Sequence, residues 1–408
     1  MYSKYRRAVA KAMRSIYLPT FYAYWSGAII LLAYFFSQGY IRHSINTSRL
    51  FGHAGEAFNN WDAQWYHYVA THGYFYDTAM ASSVNFFPAF PLITRALSEL
   101  SGLSTDISLI VVSNTCFVAM LILLGHYVSV TRSGERSGLV GCTLAAACTF
   151  PPSLFFRMGY TESLFSLILV LVLLFMATRA PLVLIAATIG LATATRSVAV
   201  ALLPAFLIHV WQRSRGPVQF IGRIAVFGPI ACWGMAAYMT YLQVKFGDPL
   251  VWMKAQSHFK IHPSPPLPEK LVTLVALDPF IDRFTPGSGA HYSNWEGGVN
   301  PLFGMHVADV IIFGVAAVLV IVGFARRLLS PTELLLSAFL FLIPYCSIGY
   351  ECSMRGFARY SSVVFPVYIV LGQFLSKSPP HVMALYHSAC CVLLFIYSCQ
   401  FFAGYSVL

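Results

Sequence analysis

Charge is scarce in this chain. Asp, Glu, Lys and Arg make up only 10% of its 408 residues, and the acids number 15. Soluble domains carry roughly 25% charged residues, so a water-soluble globular fold is excluded. Metal and disulfide signatures are missing as well. The nine cysteines form no CxxC pair and lie mostly in apolar runs, where Cys packs as a small hydrophobe. His67 and His72 are five residues apart, off a common helical face and without an acidic partner, so no metal site is read there. No P-loop and no GxGxxG after a strand is present, which argues against a soluble nucleotide as ligand. Neither an internal repeat nor a long low-complexity tract occurs. No cofactor is expected.

What the chain has is apolar length. Hydrophobic residues reach 58% and mean hydropathy is +0.68. A bilayer crossing needs roughly 20 apolar residues. The pattern predicts an all-α polytopic membrane protein with about eleven helices, near 19–39, 105–130, 138–156, 161–178, 181–195, 197–212, 220–244, 306–325, 332–350, 358–375 and 382–403. The pair 181–195 and 197–212 is short and reads as a broken hairpin with Arg196 at its tip. The whole of 1–408 is expected to be one integral membrane domain.

The net charge of +11 does not point to nucleic acid, because the basic residues sit in short turns. With the basic start (Lys4, Arg6, Arg7, Lys11, Arg14) inside as the flank of a retained first helix, Arg132, Arg136, Arg179, Arg213, Arg215, Arg223, Arg326, Arg327 and Lys377 all fall on the inner side. Two larger loops, about 40–104 and 245–305, then lie outside. Both are rich in Trp, Tyr, His, Asp, Gly and Pro. Loops on a rigid scaffold commonly carry function.

The first outer loop holds Asn59-Asn60-Trp61-Asp62-Ala63-Gln64-Trp65-Tyr66. Asp62 is suited to take a proton from a hydroxyl. Trp61, Trp65 and Tyr66, with Gln64, suit a sugar ring, although an interfacial aromatic belt explains the aromatics equally well. Ionisable groups near hydrocarbon are costly and mark function by default. Glu162 and Arg157 lie at the outer edge of the fourth span; a carboxylate favoured at a helix start also explains Glu162. Arg196, Arg355 and Arg359 stand at outer span ends, where the positive-inside rule expects few arginines. Guanidiniums there suit a phosphate, and anchoring to lipid headgroups is the competing role. Asp248-Pro249 reads as a helix start with Asp at the cap. Gln256 and His258 follow on that helix as candidate hydroxyl ligands. The stretch from His291 to Glu296 looks sugar-compatible, and Asn46-Thr47-Ser48 is a sequon close to the first span.

Taken in order, these landmarks resemble the phosphatidylinositol-glycan class V family. Trp61-Asp62-Ala63-Gln64-Trp65-Tyr66 with His72-Gly73-Tyr74 is similar to its first-loop motif. Asn85-Phe86-Phe87-Pro88-Ala89-Phe90-Pro91-Leu92 resembles its FFPLYPLL element, Tyr160-Thr161-Glu162-Ser163-Leu164-Phe165 its YTESLF element and Ala194-Thr195-Arg196-Ser197 its ATRS element. Gly247-Asp248-Pro249-Leu250 and Ala255-Gln256 resemble a stretch of its bacterial-type relatives. The eukaryotic members are mannosyltransferases adding the second mannose of the GPI anchor.

The resemblance implies a GT-C bundle with its site in the outer loops. It implies inverting transfer of a sugar, typically mannose, from a polyprenyl- or dolichyl-phosphate donor to a lipid or glycan acceptor. Asp62 is the implied base. Arg196, or the pair Arg355 and Arg359, is expected to hold the donor phosphate, and all of these are expected in one outer pocket. A transporter or flippase of lipid-linked sugars stays open on the embedded charges alone, as does an assembly subunit. The host membrane is read as a bacterial plasma membrane or, in a eukaryote, the endoplasmic reticulum.

Overall fold

In lipid, every backbone N–H and C=O must be satisfied within the protein, so apolar runs of this length become helices. A computed structural model describes residues 2–41, 57–134, 138–291 and 304–405, with side chains from residue 16 onward. Among the described residues every regular element is helical. The sequon at Asn46, Arg136 and residues 292–296 lie outside them.

The chain opens with α1 (Tyr2–Tyr40), then α2 (Asp62–His72), α3 (Ala89–Ser101) and α4 (Thr105–Thr131). Next come α5 (Leu139–Thr149), α6 (Glu162–Ala177), α7 (Leu182–Thr193) and α8 (Leu202–Gln212). Then α9 (Pro217–Ala231), α10 (Trp233–Phe246) and three short helices follow: α11 (Val251–Ala255), α12 (Leu267–Val275) and α13 (Asp278–Ile281). The last five are α14 (Met305–Ala325), α15 (Pro331–Ile348), α16 (Phe357–Ser362), α17 (Pro366–Leu375) and α18 (Pro380–Phe402). Single 3-10 turns at Pro151–Phe156, Ser197–Ala201 and Gln256–Phe259 join some of them.

Each of the eleven expected segments contains an apolar helix, but eleven full crossings are not established. Five helices are long and apolar enough to cross a membrane: the 16–40 part of α1, α4, α14, α15 and α18. The α9–α10 pair makes a sixth if counted as one span bent by 52°. The remaining five segments are helices of 10–17 residues. The physical reason is local. Pro151, Arg196 and Pro366 stand where helices break, and each break shortens the helix beside it. At about 1.5 Å per residue, the 12 residues of α7 rise only about 18 Å, short of the roughly 30 Å hydrocarbon core. The chain is an integral membrane protein whose bundle mixes full-length and broken helices.

The bundle has two chemically different ends. At one, Arg132 at the C-terminus of α4 places Nη2 2.8 and 3.0 Å from the Glu333 carboxylate at the start of α15. Tyr127 donates to the same carboxylate at 2.7 Å, and Ser330 completes a capping box with it. This buried pair ties α4 to α15 on the arginine-rich side. The opposite end of α4 meets the polar segment around Asp62, and Ile348 at the opposite end of α15 lines the same cavity as Asp62. Asn59 Nδ2 donates to Asp106 of α4 at its carbonyl (3.1 Å) and carboxylate (3.0 Å). Arg157 is a structural clamp: Nη1 donates to Asn114 at 2.9 Å, Nη2 to Ser26 at 2.9 Å and to the Ala23 carbonyl. It binds α1 to α4 rather than facing outward.

Candidate active site

Asp62 begins α2, and the residue before it is held in an unfavourable backbone conformation. Trp61 has φ 60° and ψ −121°, a cost of about 1–3 kcal/mol for a residue with a side chain. The surroundings enforce it. Asn60 Nδ2 donates to the Phe401 carbonyl of α18 at 3.1 Å, and Tyr160 donates to the Asn60 carbonyl at 3.0 Å. With Asn59 bonded to Asp106 of α4, the two asparagines anchor the chain to α4 and α18 immediately before Asp62. Close packing completes the arrangement: a Cβ on Gly159 would collide with the Asn59 carboxamide and stand 3.3 Å from Ala63 Cβ.

Asp62 opens onto a cavity of about 430 Å³. Trp61, Trp65, Tyr66, Arg196, Gln256, Arg355 and Arg359 line it with Asp62. Residues from the first polar segment, the α7–α8 tip, the second polar segment and the 349–360 turn therefore meet in one place. Asp62 and Gln256 open to the same cavity. Gln64, Glu162 and His258 do not line it. His258 is exposed, with Nε2 3.2 Å from the Thr78 carbonyl. Asp248 accepts from the Leu250 N–H at 2.8 Å and pairs with Lys254, a local turn just ahead of α11; the cap position itself is Leu250, without a side-chain cap bond, so Asp248 is not the helix cap expected from the Asp-Pro pair.

The charges form an ordered chain. Arg359 Nη1 lies 2.6 Å from Asp62 Oδ2. Its Nε lies 3.4 Å from Glu162 Oε1, which Arg196 Nη1 approaches at 2.5 Å. Glu162 is 1% exposed and sits behind both guanidiniums, whereas the Asp62 side chain is 27% exposed. Arg196 also donates to Thr161 at 3.2 Å, and that hydroxyl is 3.3 Å from the Tyr66 hydroxyl. Burial raises the Tyr66 hydroxyl well above its ordinary value, with Arg196 opposing, so it serves as a neutral hydrogen-bonding group. Tyr360 lies under both arginines, 5.4 Å from Arg359 and 5.8 Å from Arg196 by ring centroid. Such contacts further restrict the guanidinium planes.

Lys260, Asn85 and Tyr360 are among the lining residues that the sequence did not mark as site residues. Lys260 Nζ donates to Ser264 at 2.7 Å and lies 3.8 Å from Glu351. A Lys in a segment expected outside was itself a signal, by the same rule that picked out Arg196. Asn85 lines the cavity with an Oδ1 that accepts no hydrogen bond. Tyr360 was visible only as the neighbour of Arg359 in a weak family echo, and its role comes from the two arginines above it. Glu351 organises the loop beside the cavity. Its backbone carbonyl accepts from the Ile261 and His262 amides, and its carboxylate takes Lys270 at 2.6 Å and Ser264 at 2.9 Å. Burial pushes that carboxyl up, but Lys270 and Ser264 outweigh it and hold it below the usual Glu range.

A smaller cavity of about 140 Å³ shares Arg196, Ser197, Gln256, Ile348 and Tyr360 with the first. Its remaining walls are mainly apolar, from Val198, Leu340, Ile343, Pro344 and Val363. Among the described residues no cluster of three metal-ligating side chains occurs.

Comparison with known proteins gives a partial likeness. No family model matches the chain. It is 33% identical over 119 residues to GPI alpha-1,6-mannosyltransferase 2 of Mus musculus, covering 26% of this chain and 22% of the mouse protein. The Cricetulus griseus and Rattus norvegicus proteins of the same name are 34% and 32% identical over stretches of the same length. The match thus spans 22–23% of these relatives. It agrees with the phosphatidylinositol-glycan class V resemblance carried by the motifs. Among solved structures, the apo oligosaccharyltransferase of Archaeoglobus fulgidus aligns with a TM-score of 0.43 and 12% identity, over 94% of this chain and 56% of that one.

Proposed function

We propose that this protein is an inverting glycosyltransferase that moves a sugar, mannose in the first instance, from a polyprenyl-phosphate donor to a lipid or glycan acceptor. The observation that carries the reading is a half-buried carboxylate, Asp62, sharing a cavity with Arg196, Arg355 and Arg359. A base and a phosphate-sized cationic wall in one enclosure are what a single displacement at an anomeric carbon requires.

Asp62 takes the proton of the acceptor hydroxyl as that oxygen attacks the anomeric carbon. The bond from that carbon to the phosphate oxygen breaks, and the electron pair leaves with the phosphate. Attack opposite the leaving group inverts the centre. Arg196 and Arg359 meet the growing charge on the phosphate, and only contacts that strengthen in the transition state accelerate the step. Both guanidiniums are held beforehand by Glu162, so little reorganisation is needed. Trp61, Trp65 and Tyr66 flank the sugar, with Gln256 and Asn85 available to its hydroxyls. The smaller apolar cavity adjoining Arg196 suits the first isoprene units of the donor. The two polar segments, about 40–104 and 245–305, are assigned to the non-cytoplasmic face, of a bacterial plasma membrane or of the endoplasmic reticulum. The mouse, hamster and rat relatives are each named GPI alpha-1,6-mannosyltransferase 2, which supports the choice of sugar.

The test uses the purified full chain in nanodiscs with a radiolabelled polyprenyl-phosphate mannose and a membrane lipid extract as acceptor. Label should pass to a product from the parent chain, and Asp62→Asn should slow that passage by about 10²-fold or more. No transfer from any polyprenyl-phosphate sugar would remove the reading.

A further inference from the structure

Arg359 stands immediately after an improbable turn. Ser353, Met354 and Gly356 have φ of 49°, 58° and 76°, and the first two carry side chains that disfavour this region. Such a turn persists only where its surroundings hold it. One holder is Asp309, fully buried on α14 and 47 residues distant from the turn. Its Oδ2 accepts from the Gly356 N–H at 2.9 Å, and its Oδ1 accepts from the Ala358 N–H at 2.9 Å. One helical turn further along α14, Phe313 packs against Phe357 with ring centroids 5.1 Å apart. Two residues beyond Phe357, Arg359 reaches Asp62 and Glu162. A second holder, Arg283, donates to the Ser353 carbonyl from the other side of the turn.

We infer that Asp309 is a positioning residue that sets the direction of Arg359, and through it the Asp62–Arg359 pair, by clamping the Gly356 and Ala358 amides. It touches neither the cavity nor a substrate, since it is absent from the cavity wall. An ionisable group buried in a span is expected to serve function. Here the carboxylate satisfies two backbone donors that the turn leaves without helical partners. The catalytic consequence rests on the transferase reading; the positioning itself does not.

The substitution is Asp309→Asn. Asn offers one oxygen, and its amide group meets the second N–H as donor against donor. In the full chain in nanodiscs, hydrogen exchange should quicken about tenfold or more in a peptide covering 353–360 and stay unchanged in α4, α6 and α18. Unchanged exchange at 353–360, or a rise spread over the bundle, would overturn the inference. If Asp309→Asn fails to fold, Asp309→Glu gives the same readout with charge and both acceptors kept but displaced.

Transfer gives a second, independent reading. Arg359→Ala should recover part of its rate on addition of guanidinium ion. Asp309→Asn combined with Arg359→Ala should recover to the same rate, because a free guanidinium needs no turn to aim it. A rescued rate reduced by the full factor of Asp309→Asn alone would overturn the inference. Absence of transfer in the parent chain would sink the transferase reading, while the exchange result would still decide the role of Asp309.

Discussion

Glu162→Gln isolates the electrostatic logic of the site. The substitution keeps the volume and one acceptor oxygen and removes a charge. Glu162 is 1% exposed, with Oε1 2.5 Å from Arg196 and 3.4 Å from Arg359. Without it, two buried guanidiniums share one carboxylate, Asp62, which already engages Arg359. Removing one partner of a buried ion pair costs about 3–5 kcal/mol, and the amide oxygen returns about 1 kcal/mol by accepting one bond. The expected loss is about 2–4 kcal/mol, or a factor of about 30–900 in the folding equilibrium. Unfolding of the purified chain in nanodiscs, with and without farnesyl phosphate, measures it. The midpoint should fall, and the prenyl phosphate should raise it more than in the parent, because the ligand supplies the missing negative charge. An unchanged midpoint would refute the argument. So would an equal ligand shift in the two proteins, since the arginines would then not face a phosphate.

Three further outcomes are expected. Asp62→Asn should lower transfer by about 10²–10⁴-fold with donor binding nearly intact, the usual contribution of a general base; near-parental turnover in a purified assay would transfer that role elsewhere. Gly159→Ala should destabilise by about 1–3 kcal/mol through overpacking against Asn59 and Ala63. It should also slow transfer by displacing Asp62, and a stable, fully active variant would count against the packing account. Single cysteines at Gln64 and Ser257, in a chain with reactive native thiols replaced, should both react with an impermeant reagent from the non-cytoplasmic side. Labelling of only one would break the assigned topology.

Much of the helical architecture was legible because it rests on local apolar length. A run such as Thr105–Thr131 has one low-cost conformation in lipid, and its boundaries follow from Ser104 as cap and the polar turn after it. The breaks were legible where Pro or Arg interrupts an apolar stretch, as at Arg196. Crossing number was not, because a helix of 12 residues and one of 27 can come from equally apolar sequence. Whether a short helix spans depends on its neighbours rather than on its own composition. The arrangement of the polar segments was also hidden. The turn that aims Arg359 uses left-handed residues that are not all glycine, so no composition signal marks it.

The site was half legible for a related reason. A misplaced charge is visible one residue at a time. Arg196, Arg355 and Arg359 could each be singled out by where they stand relative to the spans, and Lys260 could have been found the same way. Pairing is a property of two residues at once. Glu162 looked like a first-turn carboxylate or an isolated functional acid at a span edge, and its place behind two guanidiniums depends on the approach of the α7–α8 tip and the 349–360 turn. Asp309 is the sharper case. A single acid in Val307-Ala308-Asp309-Val310 is expensive enough to require a compensating partner, and that cost is readable from sequence alone. Its partners are backbone N–H groups, which every residue but proline carries and which therefore leave no mark in the sequence. Asp309 shows that a buried carboxylate within a span can hold a backbone turn through main-chain donors, and the residues just beyond that turn are where a functional side chain should be sought.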